Sequence, residues 1–372
     1  MTYKRLVTAL MLGLSVAGVS SHAGPALAEE MSVEAQGNAV VSEEAAVTSE
    51  PTASQAGQES EATGEAMQAP AGAIVTSEQA PSADPVDPED LAEIKDYGHK
   101  LTVKGKQMNV YEAGDKSKPT LLFMPGMSEY SQVLTHKNLI DRLAKKYHVV
   151  VVEPFGYGLS DMTDEPRTTE NIVSELNESI EQLGLDKVTL VAHSMSGIYA
   201  AQYAKYHPEK VAGVIGIDSS TPMMNGGQEV TFMAAGSEDI RSELQYLPTI
   251  PDVDADVNEQ YKALAYILAG NSTVTDEIQR SNQNLKDAES LKIPKQVPAM
   301  YLLAEDSARD MEMRREGIPQ ITESWEDQHK SLSEDPENVQ VHTLEGDHLL
   351  YLTQYEEMAR LIDEFVQAHV TA

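Results

Sequence analysis

Ser194 is the residue of this 372-residue chain best placed to act as a nucleophile. It lies in Leu190-Val191-Ala192-His193-Ser194-Met195-Ser196-Gly197, where an apolar run of strand length passes into a helical pattern carried by Ile198, Tyr199, Ala200 and Tyr203. A tight strand-to-helix turn of the G-x-S-x-G kind lifts a serine hydroxyl above the end of a sheet. Backbone passes close on both sides of such a turn, so the residues two before and two after must be small. Ala192 and Ser196 meet that demand, whereas Ser196 as nucleophile would put Ile198 at a tight position. A serine hydroxyl is a weak nucleophile at neutral pH and needs a general base within hydrogen-bond reach. His348, in Leu344-Glu345-Gly346-Asp347-His348, falls between the last strand pattern and the last helix pattern and is the predicted base. Acyl transfer also needs donors for the developing oxyanion, and main-chain N–H groups serve without reorganising. The predicted donors are the amides of Met195 and of Met127, the latter in the loop Met124-Pro125-Gly126-Met127.

These residues need a scaffold, and the chain supplies one from Tyr97 onward. Residues 101–103 and 108–111 alternate around Lys104-Gly105-Lys106, which predicts a hairpin. Apolar runs of strand length follow at 120–124, 148–153, 188–192, 211–218, 299–304 and 339–343, each followed by a helix-length segment. Continuous apolar strands separated by helices predict a mostly parallel sheet with helices on both faces, an α/β fold. Ile172, Val173, Leu176, Ile180 and Leu183 share one helical face before Gly184, and Met358, Leu361, Ile362 and Phe365 share another. Residues 222–292 break the strand–helix rhythm with a polar helical pattern that opens on Met223, Met224, Phe232 and Met233; they are read as a helical cap or lid insertion.

The first quarter has a different character. Lys4 and Arg5, an apolar run and Ala26-Leu27-Ala28 describe a secretory signal peptide over 1–28, with an uncleaved N-terminal anchor as the alternative. Residues 29–96 hold sixteen acidic residues against one lysine and no aromatics, which predicts a disordered acidic linker. The catalytic region is then 97–372. The absence of cysteine excludes disulfides, a thiolate zinc site and a thioether-linked lipid anchor. The net charge of −33 argues against nucleic acid and anionic lipid headgroups as partners. Ten histidines include no H-E-x-x-H spacing, and no phosphate-binding or dinucleotide-binding glycine pattern occurs, so neither a metal nor a cofactor is expected.

Glu153-Pro-Phe-Gly-Tyr-Gly-Leu-Ser-Asp161, the turn around Ser194, the Gly346-Asp347-His348 loop and Ile215-Gly-Ile-Asp-Ser-Ser-Thr-Pro222 together resemble the α/β-hydrolase superfamily, in particular secreted or surface-anchored serine hydrolases of Gram-positive bacteria. The resemblance runs from about Tyr97 to the end. It implies the α/β-hydrolase fold and the chain order nucleophile, acid, histidine. Members often have His-Gly where this chain has Pro125-Gly126, a change that a main-chain donor tolerates. The acid usually follows the strand at 299–304 in a Gly-x-x-Asp pattern, but this chain reads Ala304-Glu305-Asp306-Ser307, with Ser307 at the usual position. Asp306 is the predicted acid, Glu305 the next choice, and Asp218 a third because some members place the acid one strand earlier. The dehalogenase and epoxide hydrolase branches place Asp at the nucleophile position, so Ser194 argues against both.

The expected function is a serine hydrolase of carboxylesterase or lipase type, acting on a small acyl or ester substrate. It is expected to be secreted or anchored at the cell envelope through its N-terminal segment. A peptidase for small peptides, or a surface binding module that kept the fold without catalysis, are the other readings.

Overall fold

A computed structural model describes residues 87–229 and 236–370. The predicted signal peptide and most of the acidic linker lie outside the described residues, as do Phe232 and Met233 of the insertion. Residues 87–96, assigned above to the linker, are described. They carry a 3-10 turn at Pro88–Asp90, and Lys95 pairs with Asp256 at 3.0 Å. Among the described residues no helix is long and apolar enough to cross a membrane.

Eight strands form one sheet: β1 (His99–Val103), β2 (Lys106–Ala113), β3 (Thr120–Met124), β4 (His148–Glu153), β5 (Val188–His193), β6 (Val211–Ile217), β7 (Ala299–Ala304) and β8 (Gln340–Leu344). Their order is β1-β2-β4-β3-β5-β6-β7-β8. The β1–β2 and β2–β4 pairs are antiparallel and the rest are parallel. Lys104 and Gly105 both take positive φ at the hairpin, the geometry of a two-residue turn that follows the strand twist. Strands β3 to β7 are buried almost throughout, which is why they read as unbroken apolar runs rather than as alternation.

The helices are α1 (Lys137–Leu143), α2 (Thr169–Gln182), α3 (Ser196–Tyr206), α4 (Ser237–Glu243), α5 (Ala255–Leu268), α6 (Ser272–Asp287), α7 (Glu305–Gly317), α8 (Trp325–Lys330) and α9 (Tyr355–His369), with single turns at Gln132–Thr135 and Leu350–Thr353. Two apolar clusters divide the core. One holds Leu122, Val150 and Leu190 with Ile172, Leu176, Ile180 and Ile198 of α2 and α3. The other holds Phe123, Val151 and Val191 with Leu139, Ile140, Met358 and Ile362 of α1 and α9. Alternate residues of the same strands enter opposite clusters, as the period of two along a strand requires.

The insertion between β6 and β7 is helical, as predicted, and its second half is fastened to the core. Thr273 of α6 exchanges hydrogen bonds with the backbone of Thr163, and Asn284 bonds the backbone at Thr169 and Arg167. Glu277, fully inside, accepts from Tyr157 at 2.7 Å and from Tyr199 at 2.8 Å. Buried polar bonds of this kind are costly to break. They hold α6 to the core.

Candidate active site

The strand order reverses around β3, whose neighbours β4 and β5 lie to either side. The crevice at the carboxyl ends of the strands at such a point is where open α/β sheets bind ligands. Register brings three loops together there. Met124 pairs with Ala192 and His193 with Ile217, so the residues after β3, β5 and β6 emerge side by side.

Ser194 follows β5 at φ 54, a left-handed conformation unusual for serine. Its N–H donates to Ile217 O at 3.1 Å, and its carbonyl accepts from Gly197 at 3.0 Å and Ser220 at 2.9 Å. The turn is held from both sides, which maintains the strained backbone. Small neighbours are required here. Ser196 donates its hydroxyl to Pro125 O, and a Cβ on Gly197 would stand 2.4 Å from that of Ser219. A Cβ on Gly126 would stand 2.5 Å from His193 Nδ1 and 3.2 Å from Ser194 Cβ, so the loop after β3 closes on the turn only because position 126 has no side chain.

The acid is not where it was predicted. Asp306 lies in the first turn of α7, exposed, and pairs with Arg309; Glu305 beside it is exposed as well. Both carboxylates follow the helix surface into solvent, and neither bonds His348. The carboxylate that does is Asp218, directly after β6, whose Oδ2 accepts from His348 Nδ1 at 2.6 Å. Asp218 is 2 % exposed and also takes a left-handed backbone, φ 40. It is gripped by Ala304 N–H at 3.0 Å, Trp325 Nε1–H at 3.4 Å and Ser307 Oγ–H at 2.6 Å. The serine at the usual acid position thus donates to the acid that replaces it. Ser307 and Trp325 were not singled out from the sequence, because their only role is a contact across the fold. Burial raises the Asp218 pKa, but the bond and charge of His348, with Ser307 and Ala304, outweigh it and bring it down to about 2.

His348 is buried, and its Nε2 has no hydrogen-bond partner. With Nδ1 committed to Asp218, Nε2 is the nitrogen left to accept a proton. Burial first, then the neighbouring His193, lowers the His348 pKa below its ordinary value, against the pull of Asp218. The loop after β3 makes a turn in which Glu129 N–H bonds Gly126 O at 3.1 Å. Met127 lies inside that turn and Met195 follows Ser194; among the described residues neither amide N–H has a hydrogen-bond acceptor. The arrangement holds a hydroxyl on a tight turn, a carboxylate-oriented imidazole with one open nitrogen, and two unused main-chain donors. A family described as alpha/beta hydrolase fold matches residues 119–265, which span β3 to α5.

The chain has the α/β-hydrolase fold. The uncharacterized protein YbdG of Bacillus subtilis (strain 168) is 25% identical over 299 residues, covering 75% of this chain and 88% of its own length. The crystal structure of a membrane phospholipase A, a bacterial virulence factor, superposes with a TM-score of 0.55 at 19% identity, over 74% of this chain and 86% of that one. Epoxide hydrolase VrEH1 from Vigna radiata superposes with a TM-score of 0.54 at 18% identity, over 76% of this chain and 100% of that one. Curated epoxide hydrolases of nematode, mammal and plant match as well, each over less than half of its own length.

Proposed function

We propose that this α/β-hydrolase-fold protein is a serine hydrolase that cleaves carboxylic esters or related acyl bonds. The observation that carries the reading is the Asp218–His348 bond of 2.6 Å with His348 Nε2 left open, next to a nucleophile turn built around Ser194. In the first step Ser194 Oγ attacks the carbonyl carbon while its proton passes to His348 Nε2. The amides of Met127 and Met195 hold the oxyanion. Collapse expels the alcohol, which takes the proton from His348, and leaves the acyl group on Ser194. Water then gives a proton to His348 and attacks the acyl carbon; the acid departs and the proton returns to Ser194. Asp218 stays ionised throughout and steadies the imidazolium.

The epoxide hydrolase relatives invite a different reaction, and chemistry decides against it. A carboxylate that opens an epoxide forms an ester, which water can hydrolyse. A serine oxygen would form an ether, which has no carbonyl for water to attack. Residue 194 would have to be Asp for that cycle to close. The phospholipase neighbour, whose name denotes ester cleavage, supports the acyl reading without specifying a substrate. The signal-like residues 1–28 support export of the chain, with envelope association through the same segment.

The test is hydrolysis of p-nitrophenyl esters, from acetyl to long acyl chains, by the full chain and by Ser194→Ala. Turnover is expected, with a loss of at least about a thousandfold in the variant. Ester turnover that survives Ser194→Ala would overturn the mechanism. Activity on peptide anilides but on no ester would replace an esterase with a peptidase.

A further inference from the structure

Beside the catalytic set lies a second buried array of a carboxylate and imidazoles. Glu129, two residues past Met127, accepts the Gly126 N–H at 2.9 Å and the Thr135 hydroxyl. Its oxygens also face His136 Nδ1 at 3.0 Å and His193 Nδ1 at 3.3 Å. His193 Nε2 lies 3.2 Å from the backbone oxygen of His348, and the two rings tilt against each other with centroids 4.7 Å apart. Glu129, His136 and His193 are 6 %, 0 % and 3 % exposed. A carbonyl oxygen can only accept, which puts a proton on His193 Nε2. Glu129 already accepts from Gly126 and Thr135, and as an ionised carboxylate it accepts from His193 Nδ1 too. His193 therefore faces an oxygen acceptor at each ring nitrogen, the Glu129 carboxylate at Nδ1 and the His348 carbonyl at Nε2.

We infer that Glu129 and His193 are positioning residues for the reaction proposed above: Glu129 clamps the oxyanion loop to the nucleophile turn, and the His193 imidazolium anchors the base loop and stands as a fixed charge beside the base. The inference rests on the serine hydrolase reading for its meaning, though not for its test. Gly126, Glu129, His193, Ser194 and His348 come from three loops, and the bonds named above join all three. The charged and titratable groups around His348 are Asp218 from the end of β6, His193 from the end of β5 and Asp347 on its own loop, with Glu129 and His136 behind His193 and the buried Tyr351, from the turn Leu350–Thr353, packed on both imidazoles. Of these, His193 alone opposes protonation of the base. The donor atoms of Glu129, His136 and His193 lie within 4.8 Å of one another, a spacing that a metal ion also accepts. Here the carboxylate is already met by four hydrogen-bonding groups, while His136 Nε2, buried beside them, has no partner.

The experiment replaces Glu129 by Gln, which keeps the size and an acceptor for the Gly126 N–H but removes the charge. Without the carboxylate charge beside it, His193 keeps its Nε2 proton for the His348 carbonyl and gives up the second, so the fixed charge beside His348 is lost. Histidine-labelled full-length protein reports the His348 titration by NMR whether or not the protein turns over. In Glu129→Gln the midpoint is expected to rise by about one pH unit, the size of a unit charge at this distance in a partly screened interior. The acid limb of p-nitrophenyl acetate hydrolysis should rise with it, while KM stays within about twofold. In His193→Ala, where the anchor is also gone, kcat should fall about 10- to 100-fold. A folded Glu129→Gln protein whose His348 midpoint does not move would overturn the inference. So would zinc bound in stoichiometric amount with a midpoint that shifts on chelation, because the cluster would then be a metal site. A shifted midpoint in a protein that hydrolyses no ester would uphold the charge array and sink the reaction.

Discussion

At the residue scale, the unexpected assignment is Asp218. The sequence offered three carboxylates and ranked them by distance from the usual pattern, which favoured Asp306 over Asp218. The ranking failed because a helix begins at Glu305, directly after β7, and turns Asp306 toward Arg309 and solvent. No pattern along the chain reports that turn. That Ser194, His348 and the two methionines sit in loops directly after strands was legible, because strand ends are read from apolar runs. The two carboxylates give contrasting expectations. Asp218→Asn should lower kcat about a thousand- to ten-thousandfold through loss of the oriented imidazole, whereas Asp306→Asn should stay within about twofold, both read with a p-nitrophenyl ester. Asp218 also links stability to pH. Its pKa falls from an ordinary 3.8 to about 2 in the folded protein, so its contribution is complete above pH 4 and is lost as the pH drops through about 2. Acid unfolding of Asp218→Asn, followed by circular dichroism, should lack that component. An unchanged acid transition would mean that Asp218 is not held as its bonds imply.

At the scale of elements, the sheet and its helices follow closely from the sequence. The predicted run 188–192 is β5, Val188–His193, and 339–343 is β8, Gln340–Leu344, shifted by one. The insertion was legible as helical but not in its attachment. Its apolar start suggested a lid, while the fastening of α6 rests on Thr273, Glu277 and Asn284, polar residues whose partners lie more than seventy positions away. Polar residues in a helix read as a solvated face until their partners are known. Glu277 provides the test. Glu277→Gln retains a partner for both Tyr157 and Tyr199 and should change stability by about 1 kcal/mol or less; Glu277→Leu removes the acceptor of both hydroxyls and should cost about 2–4 kcal/mol. Urea titration distinguishes them. Equal, small effects would mean that α6 is loosely held and that the whole insertion can act as a lid.

At the scale of the molecule, the last residues assigned to the linker from composition are tied to the folded region. Lys95 pairs with Asp256, its carbonyl accepts from Gln260, and Tyr97 donates to the buried Glu153 at 2.8 Å. Acidic, aromatic-poor sequence conceals this edge, because two or three anchoring residues do not alter an average over sixty. A chain starting at Asp87 should keep its Tm within about 2 °C of the full chain, and one starting at Gly98 should melt several degrees lower, since a partner of a buried carboxylate is removed. Calorimetry of the two truncations checks this, and equal melting temperatures would return residues 87–96 to the linker. The sheet also explains the displaced acid. Parallel neighbours β6 and β7 end side by side, so Asp218 and Ser307 arrive at one point from different strands. Two addresses in the gene therefore serve a single destination in space, and a carboxylate at either can meet the same imidazole if the other supplies a donor. A genome survey that demands Asp at the later address would pass over this carboxylate–imidazole pair, because the serine found there donates to the carboxylate instead.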